Sequence, residues 1–393
     1  MNRTLTRWIP AIVAPALVGA VVIGVSISAN AEVTLPAKSA SEILQFINTN
    51  PNIAFSGNVT KVANLGLPDI NLIPNISQAM VTQMQKSLPK SMADFIPQAT
   101  AQDGVSEALG FLAGTQKANV YVDGVHKARV QVLDPISERD FILNGSDLWY
   151  YNAGTQTVSH HALTASELAM ENQKPNFDTS KLPFDITSPA SVANYFISQA
   201  GDSTTFTVDP AAMVAGRAAY ELTMTPKTAG TLVASINLYI DGVTGLPLDV
   251  RVNAVGQSDP AFEVGFNSIN YSTPDASIFS FTPPAGAKVS EVATPTELTT
   301  ATDANQTPSA ADQAEFDKLK AQGWAAVAEI PANEVPAQIS SLINSNSLFE
   351  SLTKPVAGGR VFSTALLNIL FTNDGRIFAG SVTTQQLLEA AAK

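Results

Sequence analysis

The sequence predicts an α+β chain, mainly antiparallel β, in which one large sheet domain carries helical covers and a small α/β unit follows it. Three observations lead there. From Gln116 to Tyr271 the apolar residues alternate with polar ones along short runs separated by turn residues. Two stretches, 63–115 and 164–201, break that alternation and carry helical spacing instead. Residues 289–311 are rich in Thr, Ala, Ser, Pro and acids with no apolar period, which reads as a linker.

Taken in order, Ser39-x-x-Glu42 ahead of Ile43, Leu44 and Ile47 is a capping box opening a helix near 39–48, and Phe55–Val62 is a short strand. In the first interruption Ile76, Met80, Met84 and Leu88 recur every four residues, with Met92 beyond Pro89. Such a face is either a helix covering the core or a mobile lid. In the second case Met80, Met84 and Met92 are the flexible contacts. Asn119–Val122 and His126–Leu133 flank Asp123-Gly124 as a hairpin, and Arg139–Leu143, Asp147–Asn152 and Thr157–Leu163 continue the meander. After a second helical insert, where Ser188-Pro189 opens a helix, strands resume at 204–209, 219–225, 232–240, 248–255 and 261–271.

Side chains alternate across a strand, so these last runs give a sheet with one apolar and one polar face. Phe206, Leu222, Met224, Leu238, Val250, Phe262 and Phe266 share the apolar face, with Glu221, Asn237, Asp249, Arg251 and Glu263 on the other. An apolar face this large needs a cover, and what the helices leave uncovered is a candidate cavity. The densest aromatic cluster is Trp149-Tyr150-Tyr151, flanked by Phe141. Alternation puts Trp149 and Tyr151 on one face and Tyr150 on the other. Core packing and cavity lining are both open to this cluster, and Phe141, Trp149 and Tyr151 join the cavity candidates.

Four segments follow: 1–31 as signal peptide or anchor, 32–289 as the sheet domain, 290–313 as linker and 314–393 as a small unit. In the last, a helix near 315–321, a strand at 324–329 and helical turns at 336–352 precede Val361–Phe371 and Arg376–Val382 about Asn373-Asp374-Gly375, then a helix at 384–392. Its apolar hairpin is a small core or, alternatively, a docking face.

Composition narrows the function. The 393 residues include no cysteine, so disulfides, thiol catalysis and a lipid-modified N-terminal cysteine are excluded. Arg3 and Arg7, the apolar run from Trp8 to Ser28 and Ala29-Asn30-Ala31 form an export signal, cleaved after Ala31 or kept as a membrane anchor. Either way the body faces out of the cytoplasm. Without residues 1–31 the formal charge moves from −12 to −14, which argues against nucleic acid as a partner. Neither a nucleophile elbow nor a phosphate loop nor a dinucleotide fingerprint occurs, and His160 and His161 face opposite ways in a strand. No catalytic residue, metal or cofactor is expected, and the acids read as a solvated surface.

The run Val214-Ala215-Gly216-Arg217-x-Ala219-Tyr220-Glu221-Leu222, ending at Thr225-Pro226, resembles the centre of the LolA-like and MucB/RseB-like superfamily of outer-membrane lipoprotein carriers and their relatives. Ile240-Asp241-x-x-Thr244-Gly245-Leu246-Pro247-Leu248 resembles its next hairpin. Phe262-Glu263-Val264-x-Phe266, followed by Phe279-x-Phe281-Thr282-Pro283-Pro284, resembles its closing strands. The whole plan is similar to a membrane-associated actinobacterial type with a small C-terminal domain. The resemblance implies an incomplete β-barrel closed by a helical lid over an apolar cavity for lipid or lipoprotein acyl chains, with no covalent chemistry. It implies as the alternative an envelope-stress regulator that binds an anti-sigma-type membrane protein. The motifs are strand and turn signatures, and no functional residue transfers by motif.

Overall fold

The computed structural model describes residues 35–47, 52–67, 114–133, 137–164, 200–292, 321–335 and 347–393. The export segment, the Met80, Met84 and Met92 stretch and the helix expected after Ser188 lie outside the described residues. Among the described residues no helix is long and apolar enough to cross a membrane.

The larger sheet has twelve strands. Its first part is β1 (Ala54–Ala63), β2 (Gly114–Asp123), β3 (Lys127–Leu133), β4 (Glu138–Asn144), β5 (Asp147–Asn152) and β6 (Thr157–Ala162). Its second is β7 (Thr204–Val214), β8 (Arg217–Pro226), β9 (Val233–Asp241), β10 (Pro247–Ala254), β11 (Phe262–Asn270) and β12 (Lys288–Glu291). The spatial order is β12-β6-β5-β4-β3-β2-β1-β11-β10-β9-β8-β7. The two edge strands do not pair with each other, so this is an unclosed barrel. Every pairing is antiparallel except the last, because β12 returns to lie parallel to β6.

Helix α1 (Ala40–Phe46) starts at the expected capping box: Glu42 N donates to Ser39 Oγ at 3.3 Å and Ser39 N donates to Glu42 Oε2 at 2.7 Å. The bonds that the Glu42 carboxylate accepts from Ser39 N and Ser39 Oγ hold it below its ordinary range. Ile43, on its inward side, packs with Tyr220, Leu222 and Ile240. Gly245 turns the β9–β10 hairpin at φ 77° and lies against the Phe46 carbonyl, where a side chain would collide.

Two expected elements differ. Strand β7 runs past Asp209 to Val214, with a register shift between Asp209 and Ala212. Pro210 donates nothing to a ladder, but β7 is an edge strand and tolerates it. Phe279–Phe281 is not a closing strand. Ala276–Phe279 is a 3-10 turn capped by Asp275, and it crosses the sheet near β3 and β4, where Arg129 donates to the Ile278 carbonyl at 3.1 Å.

The second sheet has five antiparallel strands in the order β13-β17-β16-β15-β14: β13 (Ala328–Ile330), β14 (Thr353–Val356), β15 (Gly359–Ser363), β16 (Asn368–Thr372) and β17 (Ile377–Gly380). Helices α2 (Ser347–Leu352) and α3 (Thr384–Ala391) accompany it. The stretch 361–371 is two strands, because Thr364 Oγ1 accepts from Leu366 N and Leu367 N and folds the chain back between β15 and β16. The start of the strand expected at 324–329 is instead a 3-10 turn at Gly323–Ala325. Leu370, Phe378, Val382 and Leu387 form this unit's core.

The apolar face as candidate functional site

Register shows which residues share the apolar face. One row runs Val208, Leu222, Leu238, Val250, Val264 and Lys61 across β7-β8-β9-β10-β11-β1. Its neighbour runs Phe206, Met224, Ile236, Val252, Phe262 and Ala63. Phe266 pairs with Val59, and its ring lies over Gly57, where a Cβ would stand 2.5 Å from it. From Gly57 the same face continues through Val120, Val130, Phe141, Tyr150 and Ser159 on β2 to β6.

Eight of the ten cavity candidates therefore share one face: Phe141, Phe206, Leu222, Met224, Leu238, Val250, Phe262 and Phe266. Trp149 and Tyr151 do not. Tyr150, not Trp149, pairs with Phe141, the two rings 4.8 Å apart, so Trp149 and Tyr151 sit on the opposite face. There Phe281 covers both, at 5.4 and 5.8 Å, and Trp149 stacks on His160 at 3.8 Å. These two are packing residues beneath the 276–281 crossing, because a sheet side chain two positions from its neighbour keeps that neighbour's face.

The eight differ in exposure. Leu222 and Phe266 are fully buried, Val250 and Met224 nearly so, whereas Phe141 is 38% exposed. The chain itself covers the β7–β10 end: α1 packs on Phe206, Val208, Tyr220, Leu222, Leu238 and Ile240, while Trp324 and Leu366 pack with Met224, Val233 and Ile236. In this structure those candidates are covered by the chain itself.

Charge lies on the apolar face as well, and on the polar face part of it is buried. Lys61 belongs to the apolar face by the series Phe55, Gly57, Val59, Lys61, a signal legible in the sequence and missed. It is 3% exposed, and burial pushes its ammonium down to about 8.

On the polar face, Asp140, Asp241 and Asp249 are buried, against the expectation of a solvated surface. Each has an arginine. Arg129 Nε donates to Asp140 at 2.9 Å and Arg251 to Asp249 at 2.6 Å, while Arg217 grips Asp241 from two nitrogens. Asp241 also accepts from Val243 N and Thr244 N, closing the β9–β10 turn. Although burial pushes it up, the bonds from Arg217, Thr244 and Val243 together hold it below the usual carboxylate range. Arg217 lies over the Tyr271 ring at 4.6 Å, and Tyr271 meets Thr244 at 3.0 Å. Burial pushes Asp249 up to about 7 against the pull of Arg251. The arrangement is a set of braces and offers no open pair of carboxylates.

His160 and His161 do point to opposite faces, pairing with Trp149 and Leu148, and among the described residues no cluster of three His, Asp or Glu could hold a metal ion.

No family model and no curated protein matches the chain. Among solved structures it is similar to a crystal structure of MucB, at 15% identity over 64% of each chain with a TM-score of 0.32. It is also similar to the MucA/MucB complex of Pseudomonas aeruginosa, at 13% identity over 90% of this chain and 96% of that one, TM-score 0.39. A third similar structure is a LolA superfamily protein from Nitrosomonas europaea, at 11% identity over 62% and 99%, TM-score 0.20. These names fall in the group that the strand and turn signatures resemble, and no residue role, ligand or partner passes from them to this chain.

Proposed function

We propose that the chain binds acyl chains of lipid or lipoprotein on the apolar face of its unclosed barrel, on the outer side of the cytoplasmic membrane and without covalent chemistry. One observation carries this reading: the apolar face continues past the part that α1 and the C-terminal unit cover, through Val120 and Val130 to an exposed Phe141. Each buried methylene contributes about 0.8 kcal/mol, so an acyl chain along such a strip binds without a charged contact. The N-terminal segment supports the location.

The test is native mass spectrometry with lipid extraction on residues 32–393 purified from a bacterial envelope. Phe141→Glu places a charge on the face at a position too exposed to unfold the sheet, and Val255→Glu, at a site 63% exposed, is the surface control. Lipid at near one per chain is expected in the wild type and the control, and its loss in Phe141→Glu. An empty wild-type protein overturns the reading. That outcome would favour the second one, a sensor that binds the extracytoplasmic part of a membrane protein, to which the docking of the 321–393 unit on the sheet lends support.

A further inference from the structure

The five-stranded unit reaches the larger sheet at the β7–β10 end. Thr231, between β8 and β9, forms an antiparallel bridge with Val382. Leu232 N donates to the Ser381 carbonyl at 2.7 Å and Thr383 N to the Gly230 carbonyl at 3.2 Å. Ala365 N donates to the Leu65 carbonyl at 2.8 Å, beyond the end of β1. Through this contact Trp324 and Leu366 lie on the apolar face, packed with Met224, Val233 and Ile236 beside Phe206, Leu238 and Val252. The indole Nε1 donates to Thr204 Oγ1 at 2.8 Å.

We infer that the C-terminal unit is a displaceable stopper of the acyl-binding face: Trp324 and Leu366 occupy the end of the strip, and cargo that extends over Phe206 and Met224 expels them. The inference rests on the acyl-binding reading. An acyl chain and the Trp324–Leu366 pair bury the same apolar surface, so the two exclude each other. Besides the Trp324–Leu366 packing that cargo would replace, the unit is held by short polar contacts at its edges, which water can replace, and its own core of Leu370, Phe378, Val382 and Leu387 lies apart from that packing. Apparent affinity for cargo is then the intrinsic affinity reduced by the fraction of molecules with the stopper out. By reciprocity, cargo releases the unit and exposes its docking side, which gives a lipid-filled molecule a different surface from an empty one.

The chain has no cysteine, so Thr231→Cys with Val382→Cys creates a lone thiol pair. The bonds flank this bridge rather than join its two residues, which brings the Cα atoms to about 4.5 Å, within disulfide range. The probe is a fluorescent palmitate analogue titrated into residues 32–393. Oxidation is expected to weaken binding about tenfold and reductant to restore it. Trp324→Ala, folded by circular dichroism, is expected to bind severalfold more tightly than the wild type. Equal binding in both redox states, or no gain in Trp324→Ala, overturns the stopper and leaves acyl binding standing. Absence of binding in the wild type and in every variant removes acyl binding and the stopper together.

Discussion

The two halves of the twelve-stranded sheet treat the same apolar face differently. On β7–β11 it carries large aliphatic and aromatic residues in two unbroken rows, and the chain's own α1, Trp324 and Leu366 are seated on them. On β2–β6 it carries Val120, Val130 and Phe141, while the cluster's Trp149 and Tyr151 are turned to the other side and held under Phe281. Among the described residues the β7–β11 half is covered by the chain itself, and the β2–β6 half leaves apolar surface available at Phe141. A ligand-binding sheet needs both, because a face that is everywhere open would collapse or aggregate.

The sharpest way to break this division is at Phe266, where β11 meets β1. Its ring is fully buried, 5.7 Å from Phe55 in an edge contact and seated in the space left by Gly57. Phe266→Ala should cost about 3–5 kcal/mol, read as a fall in the urea midpoint. A loss below about 1 kcal/mol would mean that this half is not the rigid one. Next in size is Arg217→Met, which leaves Asp241 buried with its two backbone donors and no cation. A loss of roughly 3 kcal/mol is expected near neutral pH. The native bonds hold the Asp241 carboxyl below its unfolded value, so its contribution is present above that value and disappears as pH falls through the folded one. The difference between Arg217→Met and wild type should therefore shrink on acidification, and a difference independent of pH would assign the loss to packing on Tyr271.

Alternation made the β7–β11 half legible, since Phe206, Leu222, Met224, Leu238, Val250, Phe262 and Phe266 fall in paired rows as their spacing implies. Turn chemistry likewise located most hairpins. Four things were not legible, each for a physical reason. Alternation assigns Trp149 and Tyr151 to a common face but does not say which one, and that depends on the pairing of Tyr150 with Phe141 and on a distant segment, Phe281. Pro210 looks like a strand end unless the strand is known to be an edge. The burial of Asp140 and Asp241 depends on arginines that strand pairing brings beside them, whereas Asp249 has Arg251 two residues along its own strand, and the cover over Met224 comes from Trp324, a hundred residues further on.

Lys61 stands at the seam between the halves, and it sharpens the comparison by the smallest effect. Its row, Leu222, Leu238, Val250 and Val264, is otherwise apolar, and burial takes its ammonium from the ordinary 10.5 down to about 8. Between those values the unfolded chain keeps a proton that the folded chain has released. Stability should therefore rise with pH across that window, by at most about 1.4 kcal/mol per pH unit. Tyr239 and Tyr271, both raised by burial, pull the other way, but only above about pH 10, where an unfolded tyrosine ionises. Asp249, raised to about 7, also pulls the other way but has lost nearly all its proton by about pH 8.5, so urea midpoints at about pH 8.5 and about pH 9.5 isolate the lysine. The wild-type midpoint should rise between them and that of Lys61→Met should stay level. A level wild type would mean that water reaches the seam and that the available surface begins at β1 instead of β2.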